Sequence, residues 1–329
     1  MNIKHRLEKR ALKLIQPFSR IVDILLSPLT LLAVVWFRIA RYWGIKNLYL
    51  TKKIFLKLGM FPIVDHYYEP LFDYRKVSSN HDKIGSSLSL DSKKQLFFLK
   101  QLNYADELVM IPDHSDSATE YYYVNGSFGS GDADLYYSIV RQIKPKKILE
   151  VGSGFSTRVA LKAVQKNKEM NADYYCSITC IEPYEMPWLE KLDVKLIRKK
   201  VEEIDLTMFN HLDENDILFI DSSHMIRPGG DVLFLILRIL PKLKRGVLIH
   251  FHDIFTPAEY PIGWLRDEFR MWNEQYLLEA FLLNNNSFEV VAALNFLNKN
   301  YRNEVANQFP ALAKEVEREP GSFWIRKTD

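Results

Sequence analysis

The 329 residues are enough for one domain of roughly 200 residues and a smaller segment beside it. A hydrophobic content of 47% with 26% charged residues excludes a disordered chain. The net charge of +3 is uneven, because residues 1–57 carry twelve Lys and Arg against two acids, whereas the rest carries 32 basic and 39 acidic residues. The two cysteines, Cys176 and Cys180, fall in or beside a predicted buried strand, which favours reduced thiols in a cytosolic compartment.

An uncharged apolar run, residues 24–37, lies within the basic segment 1–57. It is shorter than the roughly 20 residues that a helix needs to span a bilayer. Basic residues flank it on both sides, at positions 4, 6, 9, 10, 13 and 20 and at positions 38, 41, 46, 52, 53 and 57. Basic flanks tend to stay on the cytoplasmic side, so both ends of the run are predicted to lie there. We expect residues 1–57 to bind an anionic membrane surface.

A break in this run is predicted at Ser27 and Pro28, because proline removes a backbone donor and a serine hydroxyl can satisfy the freed carbonyl. The stretch resembles the re-entrant helix-break-helix of the monotopic phosphoglycosyl transferases. The catalytic motif of that family is not seen, so the resemblance implies membrane attachment alone. A re-entrant or interfacial anchor is the preferred interpretation, and a membrane span and a buried soluble helix are the alternatives. Trp36, Tyr42 and Trp43 are expected at headgroup depth.

Residues 58–130 show no strong periodicity and are predicted to form a cap or connection. Two aromatic clusters occur in it, His66-Tyr67-Tyr68 and residues 121–123. The preferred interpretation is packing of a cap against the main domain. The alternative is that His66, Tyr67 and Tyr68 line a substrate cleft.

The most informative stretch is residues 147–157, KILEVGSGFST. Its apolar start predicts a buried parallel strand over residues 148–151, and Gly152-Ser153-Gly154 predicts a tight turn. Ser156 and Thr157 are good N-caps for a helix that continues over residues 158–164. A strand, a glycine turn and a helix N-terminus together form the geometry that binds a nucleotide-like ligand at the carboxyl edge of a sheet.

The glycine spacing separates two classes of nucleotide site. A dinucleotide site needs G-x-G-x-x-G, and Thr157 stands where the third glycine would be. Glu150, two residues before the first glycine, would repel a pyrophosphate and suits a cationic or amino-bearing ligand. An NAD-dependent oxidoreductase is therefore disfavoured. The pattern Glu150-x-Gly152-x-Gly154 resembles motif I of the class I S-adenosylmethionine-dependent methyltransferases, with an ordinary strand-to-helix turn as the alternative.

Strands and helices alternate beyond this motif. Strands are predicted at residues 177–181, 194–198, 216–221, 246–253, 288–294 and 321–326, and helices at residues 132–143, 231–240 and 264–283. Glu182 ends the second strand, where an acid accepts hydrogen bonds from both ribose hydroxyls of a nucleoside. Residues 200–202 are a weaker prediction for holding an adenine edge. A surface acid at a strand end is the alternative for Glu182.

Two histidines are candidate general bases. His224 follows Asp221 at the end of the fourth strand, and His252 precedes Asp253 at the end of the fifth. Alternation along a strand predicts that His252 and Asp253 point to opposite faces. A hydroxyl acceptor must be deprotonated during methyl transfer, and a histidine oriented by a carboxylate suits that task.

In their order along the chain, the motifs resemble a bacterial branch of the class I methyltransferases that is grouped with the macrocin- and catechol-type O-methyltransferases. This branch tends to occur among polysaccharide-biosynthesis enzymes. The resemblance implies a Rossmann-like seven-stranded α/β methyltransferase sheet over residues 131–329 with S-adenosylmethionine as cofactor. It also implies cofactor-binding roles for a set of motif residues, which are Glu150, Gly152, Ser153, Gly154, Ser156, Thr157, Glu182 and Asp221.

A divalent cation is a further implication of the resemblance, because those relatives hold one with carboxylates at these strand ends. Asp221 and Asp253 match two such positions, whereas His252 departs from an all-carboxylate pattern and does not suit Mg²⁺. Metal-free base catalysis, metal-assisted catalysis and a structural role for the histidines all stay open.

The sequence thus predicts a cytoplasmic methyltransferase attached to the inner face of the cell membrane. Its predicted reaction is O-methylation of a sugar hydroxyl in a glycan or lipid-linked saccharide. The alternative is a membrane-bound scaffold of a glycan assembly complex with a vestigial nucleoside site. A nucleic-acid substrate is not expected, because the catalytic half is net acidic.

Overall fold

A computed structural model describes residues 16–64, 68–72, 87–117, 119–184 and 186–329. The chain forms two compact units, residues 1–73 and 74–329. The predicted domain boundaries at residues 57 and 130 stay predictions.

The first unit contains helices α1 (Ser19–Trp43) and α2 (Tyr49–Leu58), with 3₁₀ turns at Gln16–Phe18 and Ile45–Asn47. Its small core consists of Ala40, Ile45 and Phe55. Within the described residues, Gln16–Trp43 is the one helical stretch long and apolar enough to cross a membrane, and none of its most apolar window is buried.

The predicted break at Ser27 and Pro28 is wrong, because α1 continues through Pro28 as one helix. The Ser27 hydroxyl donates to the carbonyl of Ile24 at 2.9 Å. This carbonyl is the one that loses its partner to the missing proline N–H. The backbone compensation expected at the proline is therefore found, but it preserves the helix.

The second unit is built on a seven-stranded sheet. Its strands are β1 (Lys147–Val151), β2 (Ser177–Ile181), β3 (Lys195–Ile197), β4 (Ile217–Ile220), β5 (Leu248–Phe251), β6 (Phe288–Ala293) and β7 (Phe323–Lys327). Their order is β3-β2-β1-β4-β5-β7-β6, with β7 antiparallel to both neighbours. The predicted Rossmann-like seven-stranded sheet is confirmed, and β7 is inserted between β5 and β6.

Helices of the second unit precede and connect these strands. They are α3 (Ser92–Lys100), α4 (Ala105–Leu108), α5 (Asp132–Ile143), α6 (Phe155–Met170), α7 (Thr207–Asn210), α8 (Asp231–Phe234), α9 (Ile262–Arg266), α10 (Glu274–Leu282), α11 (Leu294–Asn300), α12 (Arg302–Gln308) and α13 (Pro310–Lys314). A π-helical turn, Leu235–Ile239, continues α8, and 3₁₀ turns occupy Pro187–Lys191, Val201–Glu203 and Leu240–Lys242.

Two apolar cores cover the two faces of the sheet. Along β1, Ile148 belongs to one core, and Leu149 and Val151 belong to the other, as strand alternation requires. Tyr121 and Tyr123 of the predicted connecting region are buried in the same core as Ile148. Burial on both faces explains why the strands have nearly continuous apolar sequences.

Two predicted helices differ from those observed. Helix α6 begins at Phe155 with Gly154 as its N-cap, so Ser156 and Thr157 lie inside the helix and are not caps. The helix predicted over residues 264–283 is divided into α9 and α10. In the intervening segment the backbone N–H groups of Asn273 and Glu274 donate to the carbonyl of His224, so tertiary contacts replace helical hydrogen bonds.

Candidate active site

A crevice of about 360 Å³ opens at the carboxyl ends of β1, β2 and β4. Gly152, Glu182 and Asp221 line it, together with residues 200–202. The topology explains this arrangement, because the strand order reverses between β1 and β4, where open α/β sheets bind their ligands. The residues predicted to contact a ribose and an adenine edge therefore share one cavity.

Gly152 cannot be replaced without strain. Its φ is +79°, and a Cβ at this position would lie 1.8 Å from the carbonyl oxygen of Asp221. At Gly154, by contrast, a Cβ would meet no atom within 4 Å. The first glycine of the motif lets two strand ends approach each other, whereas the second leaves open space beside the turn.

Glu150 lies beneath the turn and is not among the residues that line the crevice, so its predicted contact with a ligand stays a prediction. Its side chain is fully buried, and its carboxylate accepts hydrogen bonds from the hydroxyls of Thr157 and Tyr136. Burial raises the pKa of Glu150 to about 7, although these hydrogen bonds act in the opposite direction. The acid of the motif therefore supports the strand-to-helix turn from inside the core.

The serine and threonine residues of the motif are also buried. The Thr157 hydroxyl donates its hydrogen bond to Glu150 and does not cap the helix. Ser156 is 3% exposed and Ser153 is 4% exposed. The Ser153 hydroxyl has no hydrogen-bond partner among the residues that the structure describes. It is the polar group of this turn that a ligand could satisfy.

Glu182 stands at the wall of the crevice, immediately after β2. The residue is 8% exposed, and its Oε1 accepts the backbone N–H of Tyr184 at 2.9 Å. This hydrogen bond fixes the carboxylate at the strand end, as its predicted contact with a nucleoside requires.

Beside the crevice, His224 is held between carboxylates. Its Nδ1 lies 2.8 Å from Glu274 Oε2, and its Nε2 lies 3.2 Å from Asp221 Oδ1 and 3.7 Å from Asp253 Oδ2. The ring also packs on Trp272, with centroids 4.2 Å apart. Burial lowers the pKa of His224, but the hydrogen bonds and charges of Asp221 and Glu274 outweigh it and raise the pKa to about 10.

His252 enters the same cluster from the end of β5. Its Nδ1 lies 3.5 Å from Asp253 Oδ1 and 3.6 Å from Asp221 Oδ1, and its Nε2 lies 3.8 Å from Asp132 Oδ2. Burial lowers the pKa of His252, but the surrounding carboxylates outweigh it and raise the pKa well above its ordinary value. The prediction that Asp253 points away from His252 is wrong, because β5 ends at Phe251 and Asp253 has a φ of +57°.

Asp132 and Glu274 are the site residues that sequence reasoning missed. Asp132 is 1% exposed and accepts the backbone N–H groups of Gly321 and Ser322 at 2.9 and 2.8 Å. Glu274 is also 1% exposed and accepts the Ser222 hydroxyl at 3.0 Å. An acid in the first turn of a helix is common for electrostatic reasons alone, so neither position carried a distinguishing signal.

Asp221, His252 and Asp253 could hold a metal ion, because one ligand atom from each lies within 4.8 Å of the others. Neither ring nitrogen of His252 has a hydrogen-bond partner within the described part of the chain. A buried imidazole in that state fits a cation ligand, and two carboxylates with one imidazole suit a first-row divalent ion. The residues therefore fit such an ion.

The role predicted for His66, Tyr67 and Tyr68 at a substrate cleft stays a prediction. His66 and Tyr67 lie outside the described residues, whereas Tyr68 is 86% exposed and belongs to the first unit. His250 is fully buried, bonds the Ser322 hydroxyl at 3.0 Å and stacks on Phe219. Burial lowers the pKa of His250 well below its ordinary value, so it is a neutral core residue.

A parallel α/β sheet with an inserted antiparallel strand, and with a nucleoside-sized crevice beside a histidine–carboxylate cluster, defines a protein of the methyltransferase class. Residues 149–254 match a family described as a methyltransferase domain. The chain belongs to this methyltransferase family.

An uncharacterised protein from Archaeoglobus fulgidus is 30% identical over 168 residues, which cover 46% of this chain and 74% of that protein. Among solved structures, similarity extends to the O-methyltransferase TomG from Streptomyces achromogenes, with 13% identity, a TM-score of 0.36 and coverage of 74% of this chain and 92% of that one. It also extends to CalS11, a TDP-rhamnose 3′-O-methyltransferase, with 12% identity, a TM-score of 0.38 and coverage of 74% and 98%. At these identities and TM-scores, the similarity does not show that this chain acts on the substrates of either enzyme.

Proposed function

We propose that the protein is an S-adenosylmethionine-dependent O-methyltransferase acting on a sugar hydroxyl of a glycan or glycolipid intermediate. The observation that carries the proposal is the position of the crevice, which lies directly beside two buried histidines and their carboxylates. Bound there, S-adenosylmethionine would supply a methyl group that an oxygen nucleophile displaces from sulfur. The glycan part of the proposal rests on the resemblance of the motifs.

The crevice offers groups that fit this cofactor. Glu182 presents a fixed carboxylate to the two hydroxyls of a ribose. Gly152 lines the crevice and allows close approach to the backbone. The cavity volume lies within the range of small-molecule sites.

His224 is the proposed general base, and Glu274 is its positioning residue. Glu274 holds Nδ1, so that Nε2 is the ring atom left to face Asp221 and an acceptor hydroxyl. Because the charges of Asp221 and Glu274 favour the protonated ring, His224 keeps its own proton at neutral pH. It becomes a base when positive charge offsets Asp221 and Asp253.

Asp221, His252 and Asp253 are the proposed ligands of a divalent cation. Such an ion would polarise the acceptor hydroxyl and lower its pKa. The mixed oxygen and nitrogen donors favour Mn²⁺ or a similar ion over Mg²⁺.

The N-terminal unit is proposed to attach the enzyme to the cytoplasmic face of a membrane. The apolar side chains of α1 are exposed, among them Ile24 and Leu25 at 72% each. Membrane fractionation tests this attachment, because full-length protein found wholly in the soluble fraction at low salt would contradict it.

The activity is tested by incubating the full-length protein with methyl-labelled S-adenosylmethionine and a bacterial glycolipid extract, with and without EDTA. We expect label in sugar hydroxyls, lost with EDTA and restored by Mn²⁺. His224→Asn should abolish the transfer, whereas His211→Asn, at an exposed histidine, should not. Label in protein or nucleic acid, or none in any glycolipid fraction, would contradict the proposed acceptor.

A further inference from the structure

A second cavity, of about 840 Å³, lies within the first unit. Helix α1 lines one side with Val34, Phe37, Arg38 and Arg41, and residues 62–64 and 68–69 line the other. Its volume exceeds that of the crevice in the second unit.

The charge within this cavity is unbalanced. Arg41 forms an ion pair with Glu69, and its guanidinium lies 5.0 Å from the centre of the Phe61 ring. Arg38 is exposed, and it has no carboxylate partner among the described residues. Arg38 and Arg41 are three positions apart and so lie on the same side of the helix. Among the described residues of the lining, one positive charge therefore has no carboxylate partner.

The position of Arg38 along α1 indicates how deep the cavity would lie in a membrane. Arg38 is the first charged residue after the uncharged run 24–37, most of whose side chains are exposed. If that run is placed in the hydrocarbon of a membrane, Arg38 stands at its boundary, where lipid phosphates lie. Val34, one turn before Arg38, and Phe37, directly before it, give the cavity an apolar wall toward the same run.

We infer that this cavity binds the phosphate headgroup of one anionic lipid, with Arg38 as the phosphate ligand and the lipid chain along the exposed face of α1. A lipid accounts for both properties of the site, because free phosphate would leave its apolar wall and the neighbouring apolar helix without a partner. The inference rests on the proposed membrane attachment and is independent of methyl transfer.

The test has two stages, each with full-length protein. Flotation with vesicles of phosphatidylcholine and phosphatidic acid first establishes attachment, and wild-type protein that does not float would contradict the attachment itself. Short-chain phosphatidic acid is then titrated into detergent-purified protein, with phosphatidylcholine of equal chain length as the neutral comparison.

We expect saturable binding of one phosphatidic acid per chain and weaker binding by about tenfold in Arg38→Gln, as for loss of a charge-assisted hydrogen bond. The matched control is Lys46→Gln, which removes a basic residue on the same flank but outside the cavity lining. Unchanged binding of S-adenosylhomocysteine by both variants shows that they are folded.

Equal weakening by Arg38→Gln and Lys46→Gln would overturn the site in favour of diffuse attraction to the membrane surface. Displacement of the lipid by millimolar inorganic phosphate would overturn the lipid as occupant, because the cavity would then recognise phosphate alone. Equal affinity for phosphatidylcholine would overturn the role of Arg38.

Discussion

Replacing Glu150 by glutamine tests whether the acid of the glycine motif supports the turn as a buried, protonated group. Burial raises its pKa from 4.5 to about 7. Below pH 4.5 both the folded and unfolded chains hold the proton, so the group has no effect. Between pH 4.5 and 7 the unfolded chain loses the proton first, and the folded state is destabilised progressively as pH rises. Above pH 7 the cost is constant, at about 3 kcal/mol.

Glu150→Gln removes this pH dependence. The measured quantity is the free energy of unfolding by guanidinium at pH 5 and at pH 8, with Trp fluorescence as the probe. A comparison with wild type at a single pH is not sufficient, because glutamine also changes the hydrogen bonds of Thr157 and Tyr136. That change is the same at both pH values and cancels in the difference. We expect the variant to gain about 2–3 kcal/mol relative to wild type on going from pH 5 to pH 8.

The matched control is Glu203→Gln, at an exposed glutamate. It should change the same difference by no more than about 0.5 kcal/mol, as surface substitutions do. An equal difference in Glu150→Gln and Glu203→Gln would refute the reasoning, since the pKa of Glu150 would then be the same in the folded and unfolded chains.

Two further substitutions test the site. Gly152→Ala should lower the free energy of unfolding by about 1–3 kcal/mol and abolish binding of S-adenosylhomocysteine. The reason is that a positive φ and a clash with Asp221 coincide at this position. Gly154→Ala should fold and bind, and equal loss in both variants would contradict the close-approach argument. Glu274→Gln should lower kcat about tenfold with little change in KM for S-adenosylmethionine, because it orients His224. A rise in KM without a fall in kcat would exclude that role.

Local patterns were enough to predict the sheet and the crevice. The boundaries of β2 were predicted to the residue, and Glu182 and Asp221 were placed at the ligand edge, because the carboxyl ends of parallel strands meet there.

The features of the site that were not predicted from the sequence depend on contacts between distant segments. Asp132 reaches the site because its carboxylate binds backbone N–H groups that lie 189 and 190 residues away in the sequence. Glu274 reaches it because the chain before α10 leaves the helical path to bond His224. The burial of Glu150 was not predicted either, because the motif alone does not show that strand alternation places this side chain on the same face as Ile148.

The central claim is that the crevice binds the S-adenosylmethionine family of ligands through Glu182. Calorimetric titration of detergent-purified protein with S-adenosylhomocysteine tests it most directly, with NADH, Glu182→Ala and the control Glu203→Ala alongside. We predict binding of S-adenosylhomocysteine that Glu182→Ala loses and Glu203→Ala keeps, and no binding of NADH. Folded wild-type protein that binds no S-adenosylhomocysteine would contradict the account.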